Sequence, residues 1–179
     1  FAFKNGILEV DKNTHKLVDY IDVDGYVWQS QIIQRDWIET ETTDNDYKTF
    51  INNVSNKTPF PIECAIGYLL STYKNKMNNK AIILNDEVIS ENPEGGTGKG
   101  LFVQGLRQMR RVSILDGKTF DDKKSFPYQT VSPETQVLVF DDVLKMNGSP
   151  FTSILSITKT SPIFHKVLPI FLILAAITY

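Results

Sequence analysis

Along residues 1–40 the apolar and polar positions alternate with the two-residue period of a half-buried strand. GILEV and KLVDYIDV flank the polar turn DKNTH, which predicts a β-hairpin, and GYVWQSQII predicts a third strand. After the acidic loop ETETTDND, the stretch DYKTFINNV carries a weak helical pattern with an aspartate near its start. Pro59 and Pro61 mark a boundary. Beyond them Ile62, Ile66, Leu69 and Tyr73 recur at helical spacing, with Ala65 and Leu70 widening the stripe, which predicts a core-packing helix. The polar turn KMNNK then leads into AIIL, a short apolar run of the kind found in buried strands.

The second half repeats this alternation of strand and helix. NPEGGTGKG is followed by KGLFVQGLRQMRR, in which Phe102, Leu106 and Met109 share one helical face. VSILDG reads as a strand and turn, KTFDDKKSFPYQTVSPET as a polar connector, and QVLVFDDV as a buried strand ending in two carboxylates. The order strand, glycine loop, helix, strand, connector, strand implies a parallel sheet with crossover helices, an α/β fold. Residues 1–58 form a β-rich N-terminal segment with a short helix, 59–145 the α/β core, and 146–179 an apolar tail.

Composition narrows the chemistry. The chain has 179 residues, 41% hydrophobic and 22% charged, with a net charge of −2. This leaves no global basic field, so contact with nucleic acid requires a local patch or an assembly. The lone cysteine, Cys64, excludes an internal disulfide, fits a reducing, cytoplasmic setting, and lies in an apolar pattern that predicts a buried thiol. His15 and His165 are too far apart in sequence for a Cys/His zinc cluster. Asp44 and Asp46 have a calcium-loop spacing, but no glycine or glutamate follows at the required offsets. FAFKNGILEV reads as a strand already under way, so the sequence is expected to begin inside a longer protein, and nothing in it resembles a signal peptide.

The glycine stretch asks for an anion. A glycine-rich turn feeding a helix N-terminus collects several N–H groups at one concave spot, and the helix dipole adds partial positive charge. PEGGTGKG looks like a Walker A loop, with Gly95, Gly96, Thr97 and Gly98 cradling phosphate and Lys99 bridging its outer oxygens. It departs from the pattern at Pro93, where the first glycine belongs, and at Gly100, where a hydroxyl would meet Mg2+. Alone it reads equally as a structural turn. VLVFDD supplies a partner, because a buried strand presenting Asp141 and Asp142 at its C-terminal end resembles a Walker B strand. Ligands of open parallel sheets sit at that edge. Asp141 would then hold Mg2+ and Asp142 would orient or deprotonate the attacking water.

AIILNDEVISENPEGGTGKGLFVQGL, ILDGKTFDDKKSFPYQTV and TQVLVFDDV together closely resemble the helicase part of primase–helicases from phages and mobile elements of Bacteroides-type bacteria. These belong with the superfamily 3 helicases, relatives of the poxvirus primase–helicase. The similarity covers most of residues 1–145, and glycine after the Walker lysine occurs in that family. The resemblance implies a P-loop NTPase core and a ring-forming ATPase that pulls single-stranded DNA through a central channel during replication, with a primase domain upstream. It places Gly95, Gly96, Thr97, Gly98, Lys99 and Gly100 at the triphosphate of ATP, Asp141 at Mg2+ and Asp142 at the hydrolytic water. It implies nothing about Arg107, Arg110 and Arg111, which on charge alone suit a helix C-terminus better than a DNA patch. A non-catalytic remnant of such a motor is the alternative, and a small-molecule P-loop kinase shares the loop but lacks an arginine-bearing lid.

The tail departs from the family. After Asp142 the sequence has no acidic residue, and Pro150, Pro162 and Pro169 interrupt it. The resemblance requires a strand ending in a sensor asparagine there. LILAAITY imitates that strand, but Thr178 and Tyr179 stand in the asparagine's place. A truncated or frame-shifted reading frame would explain the change. The run from Val167 to Tyr179 is also too short to span a bilayer, which takes roughly 17–25 residues, so a buried or sticky strand is expected.

Overall fold

The computed structural model describes residues 1–41, 44–71, 80–85, 96–121, 125–144 and 171–178. It is a mixed α/β chain of two compact units, Phe1–Thr49 and Phe50–Tyr179. The division falls inside the first helix, nine residues before Pro59.

The first unit carries a small antiparallel sheet of β1 (Ala2–Phe3), β2 (Gly6–Val10) and β3 (His15–Val18), in that order. The predicted hairpin is β2–β3, with Ile7 opposite Val18 and Val10 opposite His15. Its turn is closed by Asp11 N donating to Thr14 O at 2.8 Å. Phe3 is the buried anchor, with the Trp37 ring tilted against it at 5.4 Å between centroids. The Asn5 side chain holds Trp37 in place by bonding both its backbone N–H (2.8 Å) and its carbonyl (2.9 Å).

The expected third strand over GYVWQSQII does not form. Its backbone bonds close a 3-10 turn at Gln29–Gln31, and only Ile33 makes a bridge, to Phe3. With Gln31 N donating to Trp28 O and Ile32 N to Gln29 O, the groups a ladder would use are spent locally. Tyr26 and Trp28 are left exposed.

Helix α1 (Asp46–Val54) matches the weak pattern of DYKTFINNV. Asn45 is its cap, since Asn45 Oδ1 accepts from Lys48 N at 2.9 Å. Asp46 stands in the first turn, where a negative charge suits the helix dipole. Helix α2 (Phe60–Leu70) starts at Pro59–Pro61, with proline in the first turn, where its missing N–H costs nothing. It buries less than its stripe promises: Leu69 is fully buried, Ile62 and Ile66 are half-buried, and Tyr73 lies outside the described residues. Cys64 is exposed, contrary to expectation. It is two positions from both Ile62 and Ile66, about 200° around the helix, and so on the opposite face.

The second unit's sheet is parallel: β4 (Ala81–Leu84), β5 (Val112–Asp116), β6 (Val137–Leu144) and β7 (Phe171–Thr178), in the order β4-β7-β6-β5. Helix α3 (Lys99–Arg107) lies in the crossover from β4 to β5. On β6, Val137, Leu138, Val139 and Phe140 are all buried, as an interior parallel strand covered on both faces requires. The edge strands leave Ile83 and Ile114 partly exposed.

Leu115, Leu138, Phe140 and Val143 form a core cluster, joined by Ala81, Phe120, Tyr128 and Val131. The polar connector after β5 thus folds back on the sheet through its aromatic residues. Phe120 meets Phe140 edge-on at 4.8 Å and Tyr128 at 5.5 Å. The apolar run near the C-terminus is a strand, β7, whose backbone pairs with both β4 and β6. Among the described residues no helix is long and apolar enough to cross a membrane.

Candidate functional site

The parallel arrangement gives all four strands of the second unit the same carboxyl edge. Register aligns Asp116, Asp141, Ala175 and Leu84 in one row across β5, β6, β7 and β4. Strands lie about 4.8 Å apart, so the end of β4 and the acid pair on β6 stand about 10 Å from each other with β7 between them. The chain leaves β4 toward the glycine stretch at this row. It comes back as α3, whose far end is joined to the start of β5 by residues 108–111.

Within the glycine stretch, Gly95 falls outside the described residues. Gly96 and Gly98 adopt positive φ of 76° and 93°. Gly98 is the N-cap of α3, and no side chain caps the helix. A side chain at Gly98 is excluded by space as well as conformation. A Cβ there would sit 2.8 Å from Phe50 Cε2 and 3.1 Å from Val54 Cγ1, because the end of α1 packs over the turn.

The first helical bond runs from Phe102 N to Gly98 O at 2.9 Å. The amides of Gly100 and Leu101 therefore head the helix without an intrahelical acceptor. No acidic residue occupies the first turn to neutralise the dipole. Lys99 is the first helical residue and is half-buried, and its Nζ donates to Thr97 Oγ1 at 2.7 Å. Gly100 is exposed, with open space where a side chain would be.

The acid pair interrupts the buried run of β6 and does not end it as expected, since the strand continues through buried Val143 to Leu144. Phe140 is buried, Asp141 exposed and Asp142 half-buried. Asp141 keeps its place in the ladder between Asp116 and Ala175. Asp142 takes a left-handed φ of 53° inside a strand. Its Oδ2 accepts from Lys118 Nζ at 2.9 Å.

Lys118 carries no motif signal of its own, and sequence reasoning gave it no role. The cue available was the Asp-Gly turn at 116–117, which fixes where the next side chain starts. Asp116 Oδ1 accepts from Lys118 N and Asp116 Oδ2 from Thr119 Oγ1, both at 2.9 Å. Gly117 N donates to Asp141 O at 2.5 Å, and a Cβ on Gly117 would lie 2.7 Å from both Asp141 O and Val143 Cγ2. Glycine is therefore required for the β5 turn to press against β6 beneath the acid pair. The Thr119 hydroxyl and then the Lys118 amide hold the Asp116 carboxyl below its ordinary value. The Asp142 carboxylate raises the Lys118 ammonium above its own.

The predicted residues thus fall into two groups: Gly96, Thr97, Gly98, Lys99 and Gly100 at the start of α3, and Asp141 and Asp142 within β6. Among their side-chain contacts are those of Lys99 with Thr97 and of Asp142 with Lys118. For Mg2+ the carboxylate oxygens of Asp141 and Asp142 are hard donors of the right kind, and Asp142 is paired with the Lys118 ammonium. Among the described residues no three His, Cys, Asp or Glu side chains converge as a protein cage. Mg2+ held through phosphates and water needs none.

The arginine cluster has structural partners. Arg110 donates to the carbonyl of Leu70 at the C-terminus of α2, and burial pulls its guanidinium below the ordinary value. Arg111 pairs with Glu134 at 3.7 Å. Comparisons with protein-family models, with curated proteins and with solved structures return no match.

Proposed function

We propose that the chain is part of an ATP-dependent DNA helicase motor of the superfamily 3 type, with a P-loop NTPase core. One observation carries the reading. A left-handed glycine turn opens a helix after β4, and the acid pair lies on β6, a buried strand of the same parallel sheet as β4. In an open sheet a ligand crevice forms where neighbouring strands send their connections to opposite sides. The connection from β4 runs outward to β5, while β5, β6 and β7 return step by step.

In this reading Gly95, Gly96, Thr97, Gly98 and Gly100 bind the triphosphate through backbone N–H groups, and Lys99 supplies a point charge to its outer oxygens. Asp141 holds Mg2+, whose contribution is to neutralise charge on the phosphates. Asp142 orients the water that attacks the γ-phosphorus and takes up its proton as the bond to ADP breaks. Single-stranded DNA, a homo-oligomeric ring and an upstream primase belong to the proposal through the resemblance. The sequence has no arginine after Arg111. A neighbour's arginine is worth about 10³–10⁵ in rate in such motors, so the 179-residue chain alone should bind ATP with little turnover.

The test is Mg2+-dependent binding of a fluorescent ATP analogue, lost in Lys99→Ala. A second reading, a non-catalytic remnant with an assembly role, is favoured by Gly100 in place of the Mg2+-binding hydroxyl. The absence of ATP binding by the folded wild-type chain would select it.

A further inference from the structure

In the first unit, the segment that fails to become a strand belongs to a loop tied at both ends. At its start the Tyr20 hydroxyl donates to Phe3 O, and at its end Ile33 N donates to Ala2 O at 2.8 Å. The chain therefore leaves and returns at neighbouring residues of β1, as an Ω-loop does. Short 3-10 turns at Tyr20–Asp22 and Gln29–Gln31 spend backbone groups inside the loop. Three of its large apolar side chains are nevertheless in solvent: Ile21 is 87% exposed, Trp28 74%, and Tyr26 fully exposed. The Cα atoms of Tyr26 and Trp28 are at most about 7 Å apart, and that of Ile21 is within about 18 Å of Tyr26. Apolar residues gathered this closely in solvent mark an interaction surface, where single ones scattered over a surface do not. Asp19, Asp22 and Asp24 are exposed among them, and no Lys or Arg occurs between Lys16 and Arg35.

We infer that this loop is a docking surface for a basic segment of a partner protein, one that combines arginine or lysine with apolar residues. Charge identifies the occupant. Residues 1–49 carry ten Asp and Glu against five Lys and Arg, a net charge of −5, while the whole chain stands at −2. That field repels the phosphates of a nucleic acid. Symmetric pairing of two copies through the loop would set aspartates against aspartates. A basic segment meets both halves of the surface at once. Its cations pair with Asp22 and Asp24 and lie over the Tyr26 and Trp28 rings, while its apolar side chains cover Ile21. Trp and Tyr supply large contact area at little cost in side-chain entropy, so the two rings carry most of the affinity. The surface serves whether or not the second unit binds nucleotide.

The experiment measures, by fluorescence anisotropy, binding of the 179-residue chain to three labelled probes. These are a short peptide of arginine, lysine and leucine, the same peptide with glutamate at every basic position, and oligothymidylate. Only the basic peptide should bind. Trp28→Ala and Tyr26→Ala, whose side chains the fold leaves in solvent, should each weaken it about tenfold, with far-UV circular dichroism unchanged. Asp22→Asn combined with Asp24→Asn should weaken it about fivefold and flatten its salt dependence. Glu9→Gln combined with Glu41→Gln removes the same charge from exposed positions outside the loop and should leave binding within about twofold. Equal losses from the two charge pairs would reduce the binding to the general field of the unit and overturn the inference. So would a basic peptide that does not bind, or binds as well to Trp28→Ala. Trp28-dependent binding of oligothymidylate, or a dimer of the chain that Trp28→Ala dissolves, would overturn it in favour of nucleic acid or of a second copy.

Discussion

Gly98 is the point at which fold and proposed site depend on the same atom that is not there. Replacing it with alanine has two separable costs. Its φ of 93° lies outside what an L-residue adopts comfortably, a penalty of about 1–2 kcal/mol. The new Cβ would also lie 2.8 and 3.1 Å from Phe50 Cε2 and Cζ and 3.1 Å from Val54 Cγ1. Because those are side-chain atoms that can yield, the overpacking costs about 1–2 kcal/mol, near the low end of the range for inserted methyls. The sum, about 2–4 kcal/mol, is a large share of the 5–15 kcal/mol typical of a domain. For a unit of this size it corresponds to a fall in Tm of roughly 5–15 °C.

The assay is thermal unfolding of Gly98→Ala beside Gly96→Ala, which shares the positive φ but would meet nothing within 4 Å. Gly96→Ala should pay the conformational part alone. In a double-mutant cycle, Phe50→Ala should recover about 1 kcal/mol of the Gly98→Ala loss, because it removes the ring that the methyl strikes. Equal melting of Gly98→Ala and Gly96→Ala, with no coupling to Phe50, would show that α1 does not pack on the turn and would refute the account.

Two further outcomes follow from the sheet. Phe120→Ala should destabilise the second unit by about 2–3 kcal/mol, since a half-buried ring leaves contacts with both Phe140 and Tyr128, and a loss below about 0.5 kcal/mol in urea unfolding would contradict the packed connector. The Asp116 carboxyl is held below its ordinary value of 3.8 by the Thr119 hydroxyl and the Lys118 amide, so its stabilising contribution is present above that pH and is lost as pH falls through the lower folded value. Stability in acid titration should therefore fall below about pH 4 in wild type and less so in Asp116→Asn, and parallel curves for the two would contradict this origin.

Much of the fold was legible because its signals are local. The hairpin around DKNTH, helix α1, AIIL, helix α3 with Phe102 and Leu106 buried, and the strand VLVF each follow from a period and a flanking turn. Failures occurred where burial depends on what lies opposite. GYVWQSQII has strand composition but pairs at a single position, and its Tyr26 and Trp28 stay exposed. PIECAIGYLL is apolar all round, which hid the exposure of Cys64. The position of β7 between β4 and β6 could not be read at all, because strand order is a property of the crossovers and not of any one segment. At the site, the glycine turn and the acid pair were visible as motifs. Lys118 was not, because its meaning lies in the distance to Asp142.

The left-handed residue on β6 ties these observations together. Asn56 and Lys57 also have positive φ, of 49° and 63°, but they follow the end of α1, where left-handed residues commonly close a helix. Asp142 has no such explanation. The pairings on either side of it, Asp141 with Ala175 and Val143 with Ile177, keep an unbroken register, so no inserted residue forces the turn. In a regular strand, consecutive side chains point to opposite faces, and two adjacent carboxylates could not both serve one ligand at the edge. A single left-handed residue breaks that alternation while the ladder continues, at a cost of roughly 1–2 kcal/mol that the half-exposed pair with Lys118 offsets only in part. Strain of this kind, kept where the fold does not need it, is expected at a working site and not at a solvated strand end. The backbone of Asp142, more than the Asp-Asp sequence itself, thus sets the acid pair apart from the regular strand around it.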